Sequence, residues 1–200
     1  MNTTLKRTLI ILLIVAISLG VGFTADLIWD NIDRRLHPRS YEEIIADASR
    51  EFDVPEEIIY ATIKVESGFD PEAVSSAGAV GLMQMMPDTF EELTGVYHLN
   101  ENLPTSALKD PEVSIRYGTY YLSYLFRYFD YNWEYASIAY NAGMGRLTQW
   151  LRDPAYTDEE GNLKKIPYPE TKSYIKKINQ AIDTYRDLYG EDILNTAKTP

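Results

Sequence analysis

The sequence predicts an all-α domain preceded by one N-terminal transmembrane helix, and three observations carry that expectation. From residue 40 onward, apolar residues recur at helical spacing between residues that start and stop helices. No alternating apolar–polar run of strand length interrupts them. Ahead of that region lies an unbroken uncharged stretch, "TLIILLIVAISLGVGFTA", from Thr8 to Ala25.

The uncharged stretch follows Lys6 and Arg7 and precedes Asp26 and Asp30. At about 1.5 Å rise per residue its 18 residues make roughly 27 Å, enough to cross most of a bilayer core. Basic residues before it and acidic ones after it favour an inside N-terminus and an outside domain. A cleaved signal peptide is the competing reading. Against it, the run is long, no Ala-x-Ala site follows, and there is no cysteine for lipidation. Both readings export the domain. The expected division is a cytoplasmic N-terminus and signal anchor over 1–25, a linker over 26–39, the domain over 40–190, and a frayed tail over 191–200.

Within the domain, Ser40 followed by Glu43 reads as a capping box for "YEEIIADASREF". Asp53 and Glu56, with Pro55 in the first turn, open a second helix that ends at Glu66. A loop containing Gly78 and Gly81 follows, then a short helix from Pro87 to Thr94 stopped by Gly95. Residues 96–109 show no periodicity. Asp110-Pro111 starts a long helix to Phe129, too rich in tyrosine and leucine all round to be an outer helix. "WEYASIAYNAG" and "GRLTQWL" are two further helices, and a proline-containing loop leads to a last helix from Glu170 to Tyr189, stopped by Gly190.

Composition removes whole classes of function. A formal charge of −11 and a pI near 4.6 argue against nucleic acid as a partner. With no cysteine, disulfides and thiolate chemistry are excluded. His37 and His98 stand apart, without ligand spacing, and read as surface residues, so neither a metal nor another cofactor is expected. The 16 tyrosines are an unusual supply of amphipathic aromatic surface.

One carboxylate stands out. In "IKVESGFDP", Ile59, Thr62 and Ile63 share a helical face with Glu66, and Gly68 reads as the helix stop. A glutamate on an inward face, at the negative end of a helix dipole, has its pKa raised by both effects. That suits a general acid near neutrality. The competing reading is a solvated end-of-helix residue.

Four motifs, "VESGFDPEAVSSAGAVGLMQMMPDTF", "IRYGTYYLSYL", "IAYNAGMGRLTQWL" and "IPYPETKSYIKKI", together resemble the transglycosylase domain of the soluble lytic transglycosylase family over residues 40–189. The resemblance implies a goose-lysozyme-like fold and peptidoglycan glycan strands as the partner. It implies Glu66 as the catalytic acid and Ser75 as its hydrogen-bonding serine. Gln84 would contact the sugar, and Met86, rather than Met83 or Met85, would line the cleft. Tyr140 would lie near the acid with Asn141 beside it, and Glu170 would bind murein. In this form the chain is a wall enzyme on the outer side of the cytoplasmic membrane, held there by its N-terminal helix.

The resemblance also implies a reaction that one carboxyl can run. Glu66 protonates the bridging oxygen between N-acetylmuramic acid and N-acetylglucosamine, then acts as base on the C6 hydroxyl, closing a 1,6-anhydro ring. A hydrolytic muramidase of the same fold, a membrane-anchored peptidoglycan-binding module without turnover, and a part of a larger envelope machine are the alternatives. The residues alone do not separate lyase from hydrolase. Nor do they name a partner in such a machine.

Overall fold

The computed structural model describes residues 3–95 and 102–196, with side chains at most positions from 11 to 29 and throughout 31–95 and 102–190. His98 lies outside the described residues. The chain divides after Pro38 into two units.

The first unit is one helix, α1, Thr3–Leu36. It continues to Leu36 through most of the segment expected as a linker, because residues 26–36 contain neither glycine nor proline. Arg34 and Arg35 in its last turn suit the negative end of the dipole. Ile11, Leu13, Leu19 and Phe23 are all more than half exposed. Among the described residues, no helix is long and apolar enough to cross a membrane. The transmembrane span expected over 8–25 is therefore not shown. The side chains of residues 8–10, 14, 22 and 25, within that stretch, fall outside the described residues. The continuing helix also adds Asp30, Asp33, Arg34 and Arg35.

The second unit is helical: α2 Glu42–Phe52, α3 Glu56–Glu66, α4 Pro87–Gly95, a 3-10 turn Thr105–Lys109, α5 Pro111–Tyr128, α6 Trp133–Ala142, α7 Met144–Arg152 and α8 Pro169–Thr196. Among the described residues there is no strand, only the isolated bridges Val74–Val80, Val80–Met85 and Thr157–Leu163.

Two of the expected helix starts are built differently. Ser40 does not cap α2. Tyr41 occupies that position in the left-handed region at φ 64° with no side-chain cap, and its ring packs on the core. Asp53 closes α2 instead of opening α3, its N–H bonding to Ser49 O while the buried Val54 and Pro55 make the link. The start of α5 is as expected. The Asp110 carboxylate accepts from the N–H groups of Glu112 and Val113, with Pro111 in the first turn. Gly190 does not stop α8, which runs on to Thr196 and so through part of the expected tail. A glycine inside a helix costs about 1 kcal/mol, and the buried Tyr185 and Tyr189 hold the turns before it.

The core forms along these contacts. Helix α3 lies along α8, α2 packs on α5, and α6 joins α5, α7 and α8. Ile45, Ile59, Ile63, Ile115 and Tyr185 are fully enclosed in one cluster. Leu125, Ile138, Leu147 and Ile178 form a second, and Phe90, Leu108 and Tyr117 a third. Each such side chain contributes about 1.5–3 kcal/mol of burial. That packing fixes the C-terminal end of α3 against α8.

Candidate active site

Glu66 is the last residue of α3. The helix stops there because Gly68 adopts φ 63°, a left-handed conformation that favours glycine, and its N–H bonds back to Ile63 O at 3.1 Å. Ser67 ties this end to the following loop, its hydroxyl donating to Leu82 O at 2.8 Å. The Glu66 carboxyl is largely enclosed. Burial pushes its pKa from the usual 4.5 up to about 7, while a hydrogen bond from the Tyr174 hydroxyl opposes the rise.

Two tyrosines flank the acid. Tyr174, in the second turn of α8, is buried and hydrogen-bonded to Glu66. Tyr140, near the end of α6, donates its hydroxyl proton to Met83 O at 2.8 Å. Burial first, and the Glu66 charge second, push both phenols well above their usual value. Both therefore remain protonated donors beside a carboxyl that titrates near neutrality.

The wall opposite is the 67–86 segment, held by its own hydrogen bonds. Gly81 N–H bonds Ala73 O, Val80 and Met85 exchange N–H···O bonds, and Met83 N–H bonds the Ser114 hydroxyl at 3.2 Å. Gln84 sits in this wall with φ 46°, and its Nε2 donates to Ala73 O and Gly81 O, both at 3.0 Å. The donor side of its amide thus serves the loop, leaving Oε1 as the group it can turn to a ligand. Ser75 accepts from Ala79 N–H at 2.9 Å through its hydroxyl oxygen. Among the described residues it makes no hydrogen bond to Glu66, though its O–H proton is still available to donate.

The remaining expected residues lie at the surface. Met86 is 42% exposed, whereas Met83 and Met85 are core. Asn141 is exposed in the last turn of α6, and Glu170 is exposed in the first turn of α8. Glu170 and Tyr174 are four residues apart on one helix and share a face. The structure thus brings together Glu66, Tyr140 and Tyr174, with the Gln84 loop hung from Tyr140 through Met83. Sequence reasoning missed Tyr174. Its signal was the helical spacing to Glu170 in "PETKSY".

Glu66 has no carboxyl partner for a two-acid reaction among its sequence neighbours. Asp70 accepts from Glu72 N–H, Glu72 pairs with Lys109 at 2.6 Å, and Asp88 is exposed at the start of α4. The described residues contain no cluster of three or more histidine, aspartate or glutamate side chains able to hold a metal ion.

Comparison with known proteins decides the family. The family model described as the transglycosylase SLT domain matches residues 43–162. The chain belongs to the SLT transglycosylase family. It is 33% identical over 168 residues to the soluble lytic murein transglycosylase of Salmonella typhimurium, covering 84% of this chain and 26% of that protein. It is 30% identical over 188 residues to the membrane-bound lytic murein transglycosylase C of Edwardsiella ictaluri, covering 82% and 50%. The 70 kDa soluble lytic transglycosylase of Escherichia coli superposes with a TM-score of 0.72 at 32% identity, covering 82% of this chain and 26% of that one. A 70 kDa soluble lytic transglycosylase in complex with bulgecin A superposes at 0.72 and 32% identity, covering 84% and 27%. An inactive Glu-to-Gln variant of the Pseudomonas aeruginosa enzyme superposes at 0.65 and 32% identity, covering 76% and 24%. These likenesses show the all-helical, lysozyme-like SLT fold expected from the motifs. The SLT chain spans about a quarter of the length of the soluble enzymes it matches. Glu170 and Tyr174 lie beyond the residues matched by the SLT family model.

Proposed function

We propose that this SLT domain is a peptidoglycan lytic transglycosylase in which Glu66 is first acid and then base. The carrying observation is a mostly buried carboxyl with a pKa near 7, held by Tyr174 and, among the described residues, with no second carboxylate acting on it. Lytic murein transglycosylases among the relatives, and a neighbour inactivated by a Glu-to-Gln change, support the same assignment.

Glu66 gives its proton to the oxygen bridging N-acetylmuramic acid and N-acetylglucosamine, and the C1–O bond breaks. The substrate's 2-acetamido group assists that departure. The Glu66 carboxylate then takes the C6 hydroxyl proton as O6 bonds C1, closing the 1,6-anhydro ring and restoring the acid. Proton and leaving group balance without water. Ordinary two-carboxyl hydrolysis would need a second group at about 5–9 Å, whereas Asp70 is engaged in a turn and Glu72 in an ion pair. Tyr140 positions the Gln84 loop. Ser75, Gln84 Oε1, Met86, Asn141 and Glu170 are the sugar-contacting set.

Digestion of purified murein followed by mass analysis tests the reaction. Products one water lighter than reducing-end muropeptides are expected from the parent and none from Glu66→Gln. Reducing ends alone would make the domain a hydrolytic muramidase. No murein release by the parent would leave a binding module, and unchanged release by Glu66→Gln would remove Glu66 as the acid.

The uncharged run and its flanking charges support α1 as a tether to the cytoplasmic membrane, with the SLT domain on the wall side. The full chain should resist alkaline carbonate extraction from membranes. Release into the supernatant with a shortened N-terminus would establish the cleaved signal peptide instead.

A further inference from the structure

The outer face of α8 carries its charges in an order that the single helix does not explain. The helix buries Tyr174, Ile178, Ala181 and Tyr185 on one side. On the other, Lys172, Lys176, Asn179, Gln180, Asp183 and Asp187 are all exposed, and they recur at the three- and four-residue spacing of one stripe. The two lysines stand one turn apart, as do the two aspartates, so each pair repels within its own chain. Neither pair relieves the other. Lys176 and Asp183 are about 10 Å apart along the axis, and Lys172 and Asp187 about 22 Å, whereas ion pairs on a helix join residues three or four apart. Asp183 does meet Arg186 of the same helix at 3.7 Å, with both side chains more than half exposed. The helix dipole does not account for the order either. Lys172 lies in the first turn, the end that disfavours a cation.

Reversed, the stripe is its own complement. Turned antiparallel against a second α8, Lys172 faces Asp187, Lys176 faces Asp183 and Asn179 faces Gln180, each pair centred on the same point between 179 and 180. We propose that this face of α8 is a two-fold docking surface for a second copy of this chain. An interface on a two-fold axis uses one patch twice, so each lysine–aspartate contact is made twice. Like-charge repulsion within each helix becomes attraction between helices. At the axis the amides of Asn179 and Gln180 both donate and accept, so each can pair with its opposite. Charge order also sets the orientation, because a parallel pairing would place lysine on lysine and aspartate on aspartate. Exposed ion pairs are individually weak and salt-sensitive, so the association is reversible. It leaves the acid free, since Tyr174 reaches Glu66 from the opposite, buried side of the helix. Such pairing is independent of the reaction assigned to Glu66.

Because the chain has no cysteine, single introduced thiols report the register directly. The full chain, in a non-ionic detergent, is treated with a short bifunctional maleimide. Gln180→Cys, beside the axis, should give a covalent dimer. Lys172→Cys should not, because its two copies lie about 22 Å apart in the antiparallel pair. Chains carrying Lys172→Cys mixed with chains carrying Asp187→Cys should crosslink to each other. In the Gln180→Cys background, Lys176→Asp should lower the dimer yield about fivefold, and high salt should act alike. Adding Asp183→Lys to that chain should restore the yield, which a loss of folding could not do. All the changed side chains are exposed, and thermal melts should match the parent. Absence of a dimer from Gln180→Cys overturns the proposal. Equal crosslinking at 172 and 180 also overturns it, as the mark of random collision or of a parallel association through α1. A dimer that survives Lys176→Asp alone, or a double swap that restores nothing, does the same.

Discussion

The Tyr174 hydroxyl, from the second turn of α8, donates a hydrogen bond to the Glu66 carboxyl at the end of α3. Two opposed effects therefore set the acid. Burial among α3, α6 and α8 favours the protonated form, and the phenol favours the ionised one. Burial prevails, and the balance lands near pH 7. A carboxyl poised there can give a proton and take one back within a single turnover.

Glu66→Gln should abolish murein cleavage and stabilise the fold in a pH-dependent way. The folded pKa, about 7, lies above the unfolded value, so between the two the folded chain binds more protons. Stability is complete below the unfolded pKa and is lost as pH rises through about 7, where the buried group must ionise. Glutamine removes that penalty. Allowing for partial solvent access, the variant should be more stable than the parent by on the order of 2–3 kcal/mol at pH 8. The difference should vanish near pH 4. Urea unfolding at the two pH values measures it, and an equal difference at both would show that Glu66 titrates normally.

Tyr174→Phe should move the acid without removing it. The hydroxyl favours the carboxylate, so its loss should raise the Glu66 pKa further. The alkaline limb of kcat/KM, expected near pH 7 in the parent, should shift to higher pH. Because the phenol also orients the carboxyl, kcat should fall about tenfold or more. A fall in kcat with an unmoved limb would mean Tyr174 only packs there.

How much of this was legible follows the physics of each group. Glu66 was readable because a carboxylate on an apolar helical stripe is a local pattern. The Asp110-Pro111 start was readable because a cap needs only its own turn. Tyr174 was not, since its role exists only once α3 lies on α8, and one buried tyrosine looks like any other in a chain with 16. Ser40 misled because an αL residue at Tyr41, packed on the core, replaces a side-chain cap. Gln84 was read as a sugar contact. Its donor end is committed to backbone carbonyls that no side-chain pattern reveals.

Gln84→Glu tests that division of labour. The change is nearly isosteric but replaces an NH₂ that serves Ala73 O and Gly81 O with an acceptor. Two carbonyls then face an oxygen, and losing bonds of this kind costs about 1–3 kcal/mol. The variant should melt at lower temperature than the parent even without substrate, and protonation at low pH should recover part of the loss. A fully stable variant with a raised KM would make Gln84 a sugar contact only.

Gly81→Ala should damage the same wall by another route. Gly81 has φ 81°, which disfavours any side chain. An added Cβ would lie well inside van der Waals contact of the Leu108 carbonyl oxygen, which is backbone and cannot rotate aside. The loop would have to lift, breaking Gly81 N–H···O Ala73 and displacing Met83, whose carbonyl receives the Tyr140 hydroxyl. Expected are a stability loss above about 2 kcal/mol and a sharp fall in kcat, because overpacking and strain act together. Gly118→Ala should press on the same wall from α5, because its Cβ would crowd both Sδ and Cβ of the fully buried Met83, and a Cβ cannot swing aside. Calorimetric Tm reads both variants. If Gly81→Ala melts like the parent, the close approach of Gly81 to Leu108 is not what shapes the wall.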